Sequence, residues 1–461
     1  MTQLHARFED AAWRIALWLM SSDFVFPIKL ISKEQSQMKN LRSYAILWAT
    51  QSLSALGSGM TSYALVLWLY LSSGSALKTA MLSICSYAPY VLMSIFAGTL
   101  SDRLDKKKTM LVCDLIAALS TVAVLVLIKL NSLHPWHLYL INAVNGLMNT
   151  VQQPASEVAA TLLTPKEYYQ KTSGMRSFSQ SLNSILTPII ATALFSLADI
   201  GVVIAVDLST FGIAFLTLAL FIKIPEVPSS DKQKESVLSA SRAGLKWLKD
   251  NPLILKLILF LSCINLVAST YDAALPAMIL SKANGGQTVL GIINTCVGIA
   301  TLVGSVLVTF LPAPKNRVKA ISAALFMSMS TENFMLALGK TPIIWCVGAV
   351  LGWIAIPYMN ANMDVIFRAE IPTDMQGRVY SCRNTLQFFT IPIGFLLGGL
   401  LTDKVFEPLM TNNKSGFLTT LFGEGKGSGA AMLFFVIGIV GVMTCFVFSS
   451  LLNKHNWNEN K

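Results

Sequence analysis

Apolar residues along this chain gather into long runs separated by short polar turns, at about 43–71, 79–101, 109–130, 136–158, 174–197, 200–222, 253–280, 288–311, 320–338, 343–367, 379–402 and 429–452. A run of roughly 20 apolar residues is enough to cross a bilayer as a helix. The pattern therefore predicts an all-α integral membrane protein with twelve transmembrane helices.

Between the sixth and seventh runs lies a polar stretch, Lys223 to Asn251, opened by Pro225 and Pro228 and closed by the amphipathic segment Val237 to Asp250. It reads as a linker between two six-helix bundles. The halves repeat at an offset of 207, which lays Glu157 on Asp364, Pro165 on Pro372, Glu167 on Asp374, Lys171 on Arg378, Arg176 on Arg383 and Gln180 on Gln387. A duplicated inner loop in one orientation implies parallel repeats about an axis along the membrane normal, with a substrate path between them. The expected organisation is an N-terminal cytoplasmic or interfacial extension (1–38), a first bundle (39–223), a cytoplasmic linker (224–252), a second bundle (253–453) and a cytoplasmic tail (454–461). Within the extension, the stretch Trp13 to Phe26 is interrupted by Arg14, Ser21, Ser22 and Asp23, too short and polar to span. It is either an interfacial segment or upstream sequence that does not belong to the native protein; no small-residue cleavage site follows it.

Composition agrees: 54% of the 461 residues are hydrophobic and 13% charged. The net charge of +11 is explained by topology rather than by nucleic acid. With the N-terminus inside, only Lys78, Lys129, Lys282, Lys340, Lys404, Lys414 and Lys426 of the 35 basic residues fall outside. This bias predicts both termini in the cytoplasm of a bacterial inner membrane. A nucleic-acid partner would need a basic soluble module, which the pattern lacks. The seven cysteines lie in or beside apolar runs without CxxC pairing and read as small buried hydrophobes.

After the second run comes Gly98, Thr99, Leu100, Ser101, Asp102, Arg103, Leu104, Asp105, Lys106, Lys107, Lys108. This segment resembles the cytoplasmic signature loop of major facilitator transporters: a tight turn at Gly98, an Asp-Arg pair and a basic cluster at the membrane surface. The resemblance implies a conformational latch. Asp102 would sit near the start of the eleventh helix and Arg103 would pair with an acid near the fourth, for which Glu157 is the candidate, with Gly98, Lys106 and Lys107 completing the loop. Asp105 stands where most members have glycine, a departure shared with the macrolide efflux branch. The second half keeps only Gly304 with Lys315, Arg317 and Lys319. Over residues 40–455 the chain looks most like that branch, whose relatives include siderophore and lysophospholipid transporters. Ala205 to Phe211 and Leu163 to Glu167 add to the likeness. Two positions depart from the drug/proton antiporters: Asn145 where many carry an arginine, and Thr187-Pro188 in place of Gly-Pro.

An ionisable residue in hydrocarbon costs about 2.5 to 3.5 kcal/mol on insertion scales, so one that is retained is used or paired. Asp272 lies about 13 Å along a helix from Ser281, and Asp207 lies about 10 Å from the outer end of its helix. A carboxyl in low dielectric can take up and release a proton, which makes both candidates for proton coupling. Asp207 reads equally as a structural hydrogen-bond partner of a neighbouring helix. Glu332, in a helix peripheral in this fold, is given no role. The fourth helix carries Asn142, Asn145, Asn149 and Gln152 at spacings of three and four, hence on one face. That stripe reads as a substrate-facing wall or as interhelical glue. Gln51 and Ser58 on the first helix, Asn265 and Asn360 are further cavity candidates. Amides beside aromatics such as Tyr63, Trp68, Tyr271, Trp353 and Tyr358 suit a bulky amphiphile, though these rings also fit belt or packing positions.

His134 and His137 are too few for a zinc site. The run Gly423 to Gly429 lacks the strand a phosphate loop requires, so no ATP chemistry and no cofactor are expected. The expectation is a secondary active exporter of drug-like amphiphilic small molecules, by proton antiport and alternating access; it is not an enzyme, and it is expected as a monomer in the lipid bilayer. The alternatives are export or flipping of an endogenous amphiphile, such as a siderophore or lysophospholipid, and a non-transporting membrane sensor.

Overall fold

The computed structural model describes residues 33–103, 105–165, 168–225, 237–372, 375–412 and 416–453. The stretch 13–26 lies outside the described residues, among which no strand occurs. Before the linker come α1 (Lys33–Ser73), α2 (Ala76–Arg103), α3 (Lys106–Lys129), α4 (Pro135–Leu163), α5 (Tyr169–Leu197) and α6 (Ile200–Leu220). The linker carries α7 (Val237–Asp250), on the amphipathic segment expected there. Then follow α8 (Pro252–Ser281), α9 (Gln287–Phe310), α10 (Arg317–Leu338), α11 (Pro342–Trp353), α12 (Ile356–Glu370), α13 (Gln376–Phe388), α14 (Thr390–Leu400), a π-helical turn (Leu401–Phe406), α15 (Glu407–Asn412), α16 (Phe417–Phe422) and α17 (Ser428–Asn453).

Ten helical stretches among the described residues are long and apolar enough to cross a membrane. Helices α2 and α4 lie on the second and fourth predicted runs but are not among those ten. In α4 the asparagine and glutamine stripe dilutes the hydropathy. Large apolar side chains such as Leu119, Leu216, Ile343 and Met443 point outward, as lipid contact requires.

Several boundaries differ from the hydropathy pattern for local reasons. Helix α1 begins at Lys33, ahead of its apolar run, because Glu34, Gln35, Gln37 and Lys39 are good helix formers. Helix α2 continues through Gly98 to Arg103, so the turn expected at Gly98 comes after Arg103. Asp105 then opens α3 as its N-cap, accepting from the Lys108 amide at 2.8 Å. Asn316 caps α10 in the same way, from the Lys319 amide at 3.0 Å. The tenth predicted run is interrupted at Ile354 and Ala355, where Pro357 cannot donate to the carbonyl of Trp353 and its ring crowds that turn. Pro392 stands in the same relation to the break at Phe389 between α13 and α14.

Buried apolar residues form separate clusters on the two sides of the linker. Two hold only residues before it, around Met60, Leu69, Leu138 and Ile204 and around Tyr44, Met110, Ala155 and Leu218. The large cluster around Phe260, Leu325, Phe367 and Phe434 takes a single residue, Leu67, from before the linker. Between them lie two small patches: Tyr70 and Ala76 with Ala277, and Ala80 with Ala273 and Phe395. Two seams bring backbones close across this boundary. A Cβ on Gly298 of α9 would come within 2.9 Å of Ile185 of α5, and one on Gly399 of α14 within 2.6 Å of the Leu77 backbone of α2. Small residues at such seams are how helices associate where lipid supplies no hydrophobic drive.

Among the described residues, several hydrogen bonds between the two sides lie at the end of the bundle that carries the α1–α2 turn, the face expected outside. The Tyr70 hydroxyl donates to the Ala277 carbonyl at 3.1 Å and lies 2.7 Å from the Ser281 hydroxyl. Ser196 at the end of α5 donates to Gln287 at the start of α9 at 3.1 Å. Most extensive is Asp403, in the π-helical turn, whose carboxylate accepts from the Ser75 hydroxyl at 2.5 Å and from the Ala76 and Leu77 amides, both at 3.0 Å. An acid from one side thus caps the first turn of a helix from the other, an arrangement favoured by charge and dipole.

Asp403→Ala is expected to loosen this end. In a background freed of native cysteines, a thiol introduced by Ala277→Cys, a position 3% exposed, should then react faster with a membrane-impermeant maleimide added to intact cells. Equal rates with and without Asp403→Ala would show that the carboxylate does not hold the closure.

Candidate functional site

Each acid below the bundle surface has a different environment. Asp207, on α6, is 4% exposed and accepts from the Ser58 hydroxyl of α1 at 3.0 Å. Gly57 lets the two helices meet there, since a Cβ on it would come within 3.0 Å of the Asp207 backbone. Asp207 is therefore placed as an α1–α6 hydrogen-bond partner, and Ser58 points at it rather than at open space. Glu332, on α10, is 5% exposed and accepts from the Trp353 indole at 2.9 Å. The Tyr271 phenol stands beside the same carboxyl.

Asp272 is different. Its neighbours in α8, Tyr271 and Ala273, are buried, yet Asp272 itself is exposed, on a face it shares with half-buried Asn265, Ala268 and Pro276. Among the described residues its carboxyl makes no hydrogen bond. Tyr87 of α2, 42% exposed and stacked on Phe395 of α14 with ring centroids 6.0 Å apart, is close enough to feel its charge. The acid is thus exposed in the neighbourhood of a residue from the other side of the linker.

A fourth acid escaped the sequence reading. Asp114 of α3 receives the Gln152 side-chain amide at 2.5 Å and that of Gln51 at 3.4 Å. Two amides read as separate cavity candidates are therefore gathered on one carboxyl from α1, α3 and α4. The signal was available: Asp114 is a lone acid inside the third apolar run. The rest of the α4 stripe divides. Asn142 donates back to the Leu138 carbonyl at 2.9 Å, the Asn145 side-chain oxygen is buried without a partner, and Asn149 is exposed. Asn265 bridges to the Gln387 carbonyl at 3.0 Å, and Asn360 is exposed.

The side chains of Gly98, Asp102 and Arg103 lie outside the described residues. Glu157 is paired with Arg176 at 2.9 Å. With both side chains about half exposed (47% and 49%), such a pair contributes about 0 to 1 kcal/mol. Lys107 turns back within its own bundle, donating to the Ala219 and Ile222 carbonyls at the end of α6, both at 2.8 Å. In the repeat, Arg383 donates to Gln387 at 3.0 Å and lies 4.4 Å from the centre of the Phe367 ring. The two matched arginines thus find different partners.

A cavity of about 700 Å³ lies between α1, α5 and α9 and reaches Trp353. Its walls are Ser177, Ser181, Ser184 and Thr187 of α5, Tyr63 of α1 and Thr301 of α9, with no charged residue among the lining. Asn294 of α9 approaches the Tyr63 hydroxyl at 3.4 Å, closing one end across the two sides. Among the described residues no group of three His, Cys, Asp or Glu could hold a metal ion.

The sequence profile described as Major Facilitator Superfamily matches residues 47–394. The chain belongs to that superfamily. It is a multi-pass membrane transporter, not an enzyme. Macrolide efflux protein A of Streptococcus pyogenes is 25% identical over 369 residues, covering 79% of this chain and 90% of that protein. The enterobactin exporter of Salmonella choleraesuis is 21% identical over 400 residues, 84% of this chain and 92% of that one. Among solved structures, the nucleoside transporter NupG, as a mutant, superposes with a TM-score of 0.65 at 13% identity, over 88% of this chain and 99% of that one. A POT family transporter in complex with a thioalcohol-conjugated peptide reaches 0.66 at 10% identity, over 90% and 96%. These structures establish the fold alone.

Asp207→Ala should destabilise the purified protein, leaving Ser58 without its acceptor at a cost of about 1 to 3 kcal/mol. Asp207→Asn, which keeps an acceptor oxygen, should retain most of that stability. Thermal melting in detergent reads the difference, and equal melting temperatures for the two variants would show that the bond to Ser58 does not stabilise the fold.

Proposed function

We propose that this chain is a secondary active exporter of drug-like amphiphilic small molecules, driven by proton antiport through alternating access of two six-helix halves. The reading takes twelve spans, a bacterial cytoplasmic membrane and both termini inside. The observation that carries it is Asp272: a carboxyl exposed on a mostly buried helix, near Tyr87 from the other side of the linker, while the described outer ends are hydrogen-bonded together. A group so placed meets the interior space first from the cytoplasmic side, and meets the outside only after the outer seams part.

In this cycle Asp272 carries the proton, and Asp207 serves the α1–α6 joint from which the first half moves. Substrate occupies the cavity between α1, α5 and α9, and the amides Asn142, Asn145, Asn149, Asn265 and Asn360 offer further contacts along the path. Asp102 and Arg103 latch the cytoplasmic ends in the outward-facing state, with Gly98, Lys106 and Lys107 shaping the loop. Glu157 suits the role of Arg103's partner because its present pair with Arg176 is exposed and weak, so exchanging one cation for another costs little. Likeness to macrolide efflux protein A supports export of drug-like compounds, and likeness to the enterobactin exporter supports a second reading, export of an endogenous amphiphile.

The test is accumulation of fluorescent dyes, tetracycline and a macrolide in efflux-deficient cells expressing the chain, with and without a protonophore. Lower accumulation that the protonophore reverses is expected, and it should vanish in Asp272→Asn with protein levels unchanged. Unchanged accumulation of every compound would reject drug export in favour of the endogenous amphiphile. In the same assay Asp102→Asn should abolish export without removing the protein from the membrane; full activity in that variant would refute the latch.

A further inference from the structure

Glu332 takes no part in the cycle above, although a buried acid in a membrane helix needs a reason to be there. Its surroundings give one. The carboxyl accepts from the Trp353 indole at 2.9 Å, and Trp353 is the residue through which α11 reaches the cavity between α1, α5 and α9. Trp353 is also the last residue of α11, immediately before the break at Ile354 and Ala355. Pro357, which makes the break, leaves the Trp353 carbonyl without its helical donor, so the ladder is open at this residue.

The helix has made room for this contact. Gly352 lies directly against the acid: a Cβ there would come within 2.6 Å of both the Glu332 Cβ and a carboxyl oxygen. Any larger residue would push the carboxyl away from the indole. From the opposite side Gly304 of α9 approaches the Ile354 carbonyl, where a Cβ would stand at 2.2 Å, so the break is packed tightly on both faces. The Tyr271 phenol of α8 stands beside the same carboxyl, its hydroxyl buried without a hydrogen-bond partner among the described residues.

We propose that Glu332 is a positioning residue: it holds the Trp353 indole as one wall of the substrate cavity and so sets apparent substrate affinity, without itself carrying a proton. This rests on the cavity being the substrate site of the export reading. A carboxyl oxygen is suited to the task because it accepts the indole N–H directionally, from a side chain held in place by the close approach of Gly352.

The positioning role and the obvious alternative, a second proton carrier, separate cleanly by substitution. Glu332→Gln keeps an acceptor oxygen at the same place and removes the titratable proton. It should export with near wild-type maximal rate and unchanged protonophore sensitivity. Glu332→Ala should raise KM for the exported compound about tenfold, the size of losing one such bond, with maximal rate little changed. Trp353→Phe, which keeps a ring and loses the N–H, should do the same, and the double variant should be no worse than either single one. Gly352→Ala, which displaces the carboxyl without altering it, should mimic Glu332→Ala. An inactive Glu332→Gln, or additive effects in the double variant, would overturn the proposal.

A readout independent of transport covers the case in which the wild type exports none of the compounds and the export reading itself fails. The 15N indole signal of Trp353, assigned by its loss in Trp353→Phe, should stay in place in Glu332→Gln and shift in Glu332→Ala. A signal indifferent to Glu332→Ala would overturn the proposal there as well.

Discussion

A polar group below the surface of a bundle in lipid has no water to turn to, and this constraint organises the protein. Its helices meet at small residues, which brings backbones close but leaves little room for compensating solvent. Each buried acid must therefore be met by a donor from another helix. Ser58 meets Asp207, Gln51 and Gln152 meet Asp114, Trp353 meets Glu332, and the first turn of α2 meets Asp403. These bonds decide which helix faces lie inward. Each of the first three lies within one side of the linker, and the last crosses it.

Two acids depart from that rule in opposite ways. Asp403 bonds across the halves rather than within one, so its satisfaction depends on the ends being together. A contact of this kind stabilises one global state over another, which an intra-half bond such as Asp207 to Ser58 cannot do, since it is equally present in both. Asp272 makes no hydrogen bond among the described residues and is exposed on a helix that is mostly buried. The constraint that ties down four acids leaves this fifth without such a bond.

The hydropathy runs made the helices legible, because they are a local property of the chain. The pairing was not. Gln51 and Gln152 could be read as polar residues seeking a partner, but that both turn to Asp114 depends on three helices meeting at one depth, which no spacing along one helix encodes. Asp114 itself was passed over because one acid barely dents the hydropathy of its run. Glu332 sits in a helix whose hydropathy marks nothing unusual, and the Gly352 against which its carboxyl fits lies on another helix. The breaks at Ile354 and Phe389 were within reach, since Pro357 and Pro392 mark them, but an apolar run reads straight through a proline that leaves hydropathy unchanged.

The repeat also shows how far duplication constrains chemistry. Arg176 and Arg383 occupy matched positions, yet the first forms a half-exposed pair with Glu157, while the second lies over Phe367 and donates to Gln387. An exposed ion pair is cheap to break, whereas a guanidinium packed on a ring and bonded to an amide surrenders both contacts if it moves. The first arginine is thus held by a contact that costs little to exchange, and the second by two contacts that would be lost together.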